Sequence, residues 1–347
     1  MRTITAEQKR EIEDLAAEGL ILGLPVQTAE KDIHITELLR ALSELQVHHN
    51  HFSDLDPRKG ELTRHDDGIQ LIFAGGTCLS KAHGLINRMS EDIDIKVVLT
   101  PTVKPLKKGM GDRVRLKALH ERIPKLLNDL GFPLLEYAEE SNPHIRDAHR
   151  YYVVGAGYQT VYSELPSLRP ELKLELIQRT PLLPLERREF GYLHQALAGL
   201  SPTASLAIDC ISVAETAAEK VVSLLRRCAY KWDGHQVIGD IDPALVRHVY
   251  DVARIAEHSA DSLTAARGIF PSLVQFDRDE YRGQNPEFDS DPIGVLKRTL
   301  QAARVNGELQ KSYMERLMPL VYDSDPPSFE KSFARFEAVA LDFLEAC

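Results

Sequence analysis

The chain has 347 residues, 43% of them hydrophobic and 27% charged, with a formal net charge of −10. These figures describe a globular protein of more than one domain and exclude a surface that grips nucleic acid over its whole area. No apolar run approaches the roughly 20 residues of a membrane helix, and residues 1–10 lack a signal-peptide core, so a cytoplasmic protein with no membrane partner is expected.

In chain order, Thr5 to Leu20 and Asp32 to Leu45 carry apolar residues at helical spacing, broken at Gly19 and Gly23. Residues 1–60 therefore read as a helical N-terminal extension. His48, His49 and His51 follow the second helix, and without carboxylate or cysteine spacing they read as a polar helix terminus. Residues 61–200 alternate strands with helices, as in a small α/β sheet. Ile69–Ala74, Ile93–Leu99, Tyr151–Tyr158 and Leu172–Ile177 are the expected strands, and Arg113–Leu130 the helix between the second and third. Val103 to Lys125 is rich in lysine and arginine, suited either to a solvated helix face or to steering an anionic substrate. Residues 201–347 turn helical, with amphipathic runs at Ser212–Arg227, Pro243–His258, Pro292–Ala303 and Phe329–Leu344, and a surface loop at Asp277–Pro292. Cys78, Cys210, Cys228 and Cys347 show no metal-ligand or disulfide spacing, so reduced thiols are expected.

Four pieces carry chemistry. The first is Gly75-Gly76-Thr77, where an apolar strand runs into a glycine turn that a phosphate can approach closely, with Lys81 one helical turn on; taken alone, these residues equally describe a structural turn and an exposed lysine. The second is Asp92-Ile93-Asp94. Alternate strand residues share a face, so both aspartates stand together while the isoleucines fill the other side. Half-buried carboxylates are unfavourable unless paired or metal-bound, which suits Mg²⁺. Ser90 and Arg88 precede them, Arg88 being expected to reach Glu91 or a phosphate.

The third piece is Lys173-Leu174-Glu175, again alternating, so Lys173 and Glu175 share a face. If this strand neighbours the aspartate strand, Glu175 becomes a third carboxylate able to polarise an attacking hydroxyl; otherwise it is an ordinary amphipathic strand. The fourth is Glu219-Lys220 with Arg227 two helical turns on, followed by Asp251. Lysine and arginine on one face can neutralise a leaving pyrophosphate, though a surface ion-pair network has the same composition.

Taken in this order, the four pieces resemble the AbiEii/AbiGii nucleotidyltransferase toxins, a branch of the polymerase-β-like superfamily that includes the MenT toxins. The resemblance covers residues 74–252. It implies an α+β fold, with a mixed nucleotidyltransferase sheet flanked by helices and followed by a helical C-terminal domain. It also implies Mg²⁺-dependent transfer of a nucleoside monophosphate from an NTP to an RNA acceptor, the tRNA 3′ end, by a toxin that a cognate antitoxin restrains. The site residues it implies are Asp92, Asp94, Glu175, Lys220 and Asp251 for catalysis, and Gly75, Gly76, Thr77, Lys81, Lys173 and Arg227 for the nucleotide. Asp92, Asp94 and Glu175 are the implied metal ligands. The chain departs from the family in carrying Glu175 where aspartate is usual, and Pro181-Leu182 where Gly-Asp often follows the threonine. The same machinery would serve a protein-directed phospho- or nucleotidyltransferase, and a non-catalytic binder of antitoxin or RNA is the alternative from another class.

Overall fold

The computed structural model describes residues 1–52, 62–66, 68–90, 92–101, 110–135, 144–163, 168–235, 243–323 and 325–347. Glu91 and the lysines at 104, 107 and 108 lie outside the described residues. Two compact units emerge. The first comprises Met1–Ala82, Ser90–Thr180 and Glu186–Cys210; the second comprises His83–Met89, Pro181–Leu185 and Ile211–Cys347.

The first unit begins with α1 (Ala6–Ala17), started by a capping box between Thr5 and Gln8, and α2 (Val26–Ser43). A two-stranded antiparallel ribbon follows, β1 (His48–Phe52) with β2 (Leu62–Asp66). The histidine-rich stretch is thus a strand, correcting the expected helix terminus. Next come β3 (Ile69–Ala74), α3 (Gly75–Lys81), β4 (Asp92–Leu99), α4 (Met110–Asp129), β5 (His144–Arg146), β6 (Tyr151–Gly157), β7 (Glu171–Gln178), β8 (Glu186–Phe190), α5 (Leu193–Leu197) and β9 (Leu206–Cys210).

One seven-stranded sheet runs β5-β6-β7-β4-β3-β9-β8. It is mixed: β4 and β7 are parallel, as are β3 and β9, and the other neighbours are antiparallel. Alternation gives the central strands two distinct faces. On one, Tyr152, Leu176, Ile95 and Phe73 form a row across four strands, beside a second row of Val154, Leu174 and Ile93; all are buried. His120 of α4 stacks on Tyr152 at 4.2 Å between ring centroids, and His34 of α2 packs against Tyr158 and Phe132, so two helices contribute to this core. The opposite face carries the charged residues.

Twelve of the 18 residues of α2 are buried despite its polar composition, and three of its charged side chains are tied down by main-chain partners. Glu30 accepts from the Val161 amide (2.8 Å), Lys31 donates to the Arg169 carbonyl (3.2 Å), and Asp32 accepts from the Leu193 amide (2.7 Å). Buried polar groups persist when paired in this way.

The second unit is helical. It contains α6 (Val213–Trp232), α7 (Arg247–His258), α8 (Asp261–Glu280), α9 (Pro286–Ser290), α10 (Pro292–Ala303), α11 (Gly307–Ser312) and α12 (Phe329–Glu345). Helix α6 forms its axis, with α7, α8 and α10 packed against it. The expected loop at Asp277–Pro292 is partly helical: it holds the end of α8 and all of α9, with turn residues at 281–285 between them, and Arg226 forms a buried ion pair with Asp277 at 2.8 Å and stacks on Tyr281. Among the described residues no helix is long and apolar enough to cross a membrane.

Candidate functional site

The charged face of the sheet grows from strand register. β4 and β7 are parallel neighbours that pair Asp92 with Lys173 and Asp94 with Glu175, so four charged residues form two adjacent rows. The condition on Glu175 is therefore met: it lies directly across from Asp94. Lys173 places its ammonium 2.5 Å from Glu175 Oε1 and 3.6 Å from Asp92 Oδ1. Burial opposes charge on Lys173, but Asp92 and Glu175 outweigh it and hold the pKa above the ordinary lysine value. Tyr151, under the Arg146 guanidinium, points its hydroxyl at Glu175 Oε2 (3.4 Å); burial and the Glu175 charge push its pKa up to about 12.

The glycine turn meets this row at Asp94. Gly75 has φ +75°, and a Cβ there would stand 1.8 Å from Asp94 Oδ2. The position thus demands glycine twice over, for its left-handed backbone and for the carboxylate lying against it. Thr77 is buried and donates its hydroxyl to the Asp92 main-chain carbonyl, stapling the first turn of α3 to the start of β4. Lys81 is placed differently from expectation. Its side chain is 3% exposed and ion-paired with Asp32 of α2, with a further bond to the Gly191 carbonyl (3.3 Å), so it braces the interior instead of reaching toward a phosphate. Burial lowers its pKa, an effect that Asp32 opposes.

In the second unit the functional candidates cluster around Asp251, which is fully buried. Arg88 grips both of its oxygens, through Nε (2.7 Å) and Nη2 (2.6 Å), and Lys220 Nζ lies 2.7 Å from Oδ2. Burial raises the Asp251 pKa, but Arg88 and Lys220 overcome it and hold the carboxyl well below its usual range. Arg88 thus binds Asp251, correcting the expectation of Glu91 or a phosphate: a guanidinium 2% exposed needs a buried counter-charge. Arg227 is half-buried on the same helix as Lys220; burial above all, with Lys220, Arg227 and Arg88 adding to it against Asp251, holds the neighbouring His248 below its ordinary pKa. Glu215, at the start of α6, accepts from the Leu182 and Leu183 amides (2.9 and 3.0 Å), so the Pro181-Leu182 departure is anchored by a buried carboxylate.

The basic run divides. Arg115 is buried and donates to the Gly68 carbonyl (2.6 Å), whereas Arg113, Lys117, Arg122 and Lys125 are exposed along α4. Among the described residues no three His, Cys, Asp or Glu side chains form a ready metal cage. Mg²⁺ needs less, being held by one or two carboxylates together with substrate phosphates. Asp92 and Asp94, half-buried oxygen donors on one strand face, are of that kind.

Sequence reasoning missed Arg88 as the partner of Asp251 and Asp32 as the partner of Lys81, since neither contact leaves a local trace in the chain. Among solved structures, the chain is similar to MenT4, a nucleotidyltransferase toxin from Mycobacterium tuberculosis H37Rv, with 18% identity, a TM-score of 0.52, and coverage of 96% of this chain and 89% of that one. This likeness concerns the fold. No curated protein matches significantly. The family model "Nucleotidyl transferase AbiEii toxin, Type IV TA system" matches residues 59–335, most of the chain. The chain belongs to the AbiEii nucleotidyl transferase toxins of type IV toxin–antitoxin systems.

Proposed function

We propose that this toxin is a Mg²⁺-dependent enzyme that moves a nucleoside monophosphate from an NTP to the 3′ end of a tRNA, restrained by a cognate antitoxin in the cytoplasm. The observation that carries this reading is the register-locked row of Asp94 and Glu175 beside Asp92, with the Asp94 carboxylate lying against the Gly75 turn. Bound Mg²⁺ would be held by Asp92 and Asp94, joined by Glu175, and would offset the charge of the triphosphate.

The residues of the chain have separable tasks. Gly75, Gly76 and the Thr77 main chain form the triphosphate cradle, and the Thr77 hydroxyl fixes that cradle to β4. The acceptor hydroxyl oxygen bonds to the α-phosphorus, the bond to pyrophosphate breaks, and Glu175 takes the released proton. Lys220 and Arg227 are carried over from the family resemblance alone as the cations for the departing pyrophosphate. Asp251 acts by holding Lys220 in one orientation, as a positioning residue. Lys81, paired with Asp32, is assigned the support of the α3 turn behind the cradle.

The test is incubation with Mg²⁺ and NTPs labelled at either the α- or the γ-phosphate, in the presence of total tRNA or of the cognate antitoxin. The reading predicts α-label on tRNA. Label on protein alone, or only from the γ-position, would replace it with a protein-directed transferase or a kinase.

A further inference from the structure

The Lys173 ammonium stands among the carboxylates that are proposed to hold the metal. It lies 2.5 Å from Glu175 Oε1 and 3.6 Å from Asp92 Oδ1, while the second Glu175 oxygen faces the Tyr151 hydroxyl. A cation is needed there because strand register forces Asp92, Asp94 and Glu175 onto one face, where like charges on adjacent strands repel. Yet Glu175 cannot serve a divalent ion while this ammonium occupies its oxygen. Lysine suits a provisional occupant: a point charge on a flexible stem, here 39% exposed and so free to swing without unpacking the core.

Resting on the reading above, we propose that Lys173 is a resident counter-cation, which bridges Asp92 and Glu175 in the metal-free toxin and which the incoming divalent ion displaces. The displaced ammonium then pairs with the triphosphate that accompanies the ion. Metal loading and nucleotide binding are thereby coupled through one side chain. The exchange replaces a single positive charge with two in a carboxylate-rich row, which is its driving force.

The exchange gives a signature of opposite signs. Lys173→Met removes the competitor, so calorimetric titration of the full chain with Mn²⁺, without nucleotide, should show binding at least about tenfold tighter than wild type. The same variant loses the phosphate partner, so its KM for NTP should rise. Lys173→Arg keeps the charge and should leave Mn²⁺ affinity near wild type. Metal-free melting should be lower for Lys173→Met and recover on adding Mn²⁺; Lys173→Gln serves the same measurements if the methionine variant does not fold. Unchanged or absent Mn²⁺ binding in the charge-removed variants would overturn the proposal. Asp94→Ala separates the two claims: if it loses Mn²⁺ binding while Lys173→Met matches wild type, the metal site stands and the exchange falls. Wild-type Mn²⁺ binding by Asp94→Ala would remove the metal site itself.

Discussion

The two charged clusters are built to opposite balance. On the sheet of the first unit, Asp92, Asp94 and Glu175 share a face with Lys173, and Asp92 remains 33% exposed. In the second unit a single carboxylate, Asp251, is fully buried between Arg88 and Lys220. The first row has an excess of anionic oxygen and invites a cation; the second has an excess of fixed positive charge and invites an anion. A buried carboxylate held by two cations is a structural commitment, whereas a half-exposed row remains open to exchange. Motif order alone would give Asp94 and Asp251 equal standing, but their surroundings differ in burial and in charge balance.

Substitutions should separate these roles. The largest effect belongs to Asp94→Ala. It should cost about 10³-fold or more in NTP-dependent labelling while circular dichroism and melting stay near wild type; activity within tenfold of wild type would make the row a structural feature. Asp251→Ala should act the other way, leaving Arg88 and Lys220 without their counter-charge. A loss of about 3–5 kcal/mol in urea unfolding is expected, and a loss under about 1 kcal/mol would show that the buried pair is not what holds this cluster.

Lys220→Ala leaves the Arg88–Asp251 bond in place, so the protein should remain folded while toxicity on expression without antitoxin disappears. Undiminished toxicity would take Lys220 out of the machinery. Gly75→Ala strains a left-handed position and drives a methyl into Asp94. It should cost about 1–3 kcal/mol of stability and most of the activity, and a neutral result would mean that the turn and carboxylate can separate freely.

The last expectation is a pH dependence of stability. His34 is buried between Phe132 and Tyr158, and burial, with Arg2 adding to it, lowers its pKa to about 3. The unfolded chain binds a proton there below about pH 6.5 that the folded chain refuses until far lower pH, so stability falls as pH drops through that window. His120, lowered to about 4 by burial and by His149, contributes in the same direction. His34→Leu should flatten, not abolish, the acid loss seen in unfolding at pH 7, 5 and 4; an unchanged slope would show that His34 is already protonated in the folded state.

Much of this architecture was legible because alternation is a strong signal. β4 and β7 announce themselves by aliphatic residues at alternate positions, Ile93, Ile95 and Val97 in one and Leu172, Leu174 and Leu176 in the other, and the same alternation put Asp92 with Asp94 and Lys173 with Glu175. Strand β8 did not, since Glu186-Arg187-Arg188-Glu189-Phe190 buries no residue, and β9 spans only five residues. Helix α8 escaped because Gly268 and Pro271 interrupt its pattern. Within the site, long-range partners were out of reach: Arg88 and Asp251 lie 163 residues apart, and Lys81 and Asp32 lie 49 apart. Whether a lysine serves a ligand or the interior depends on where the chain brings its counter-charge, and spacing carries no trace of that.

Everything proposed for the Asp92–Asp94–Glu175 row requires that this chain add a nucleotide to RNA. The most direct measurement is the mass of the tRNA 3′-terminal fragment after incubation with each NTP and Mg²⁺, for wild type and for Asp94→Ala. Wild type is expected to add the mass of whole nucleotide units with one or more NTPs, and Asp94→Ala to add none. Unmodified tRNA with every NTP, or equal addition by both proteins, would contradict the proposal.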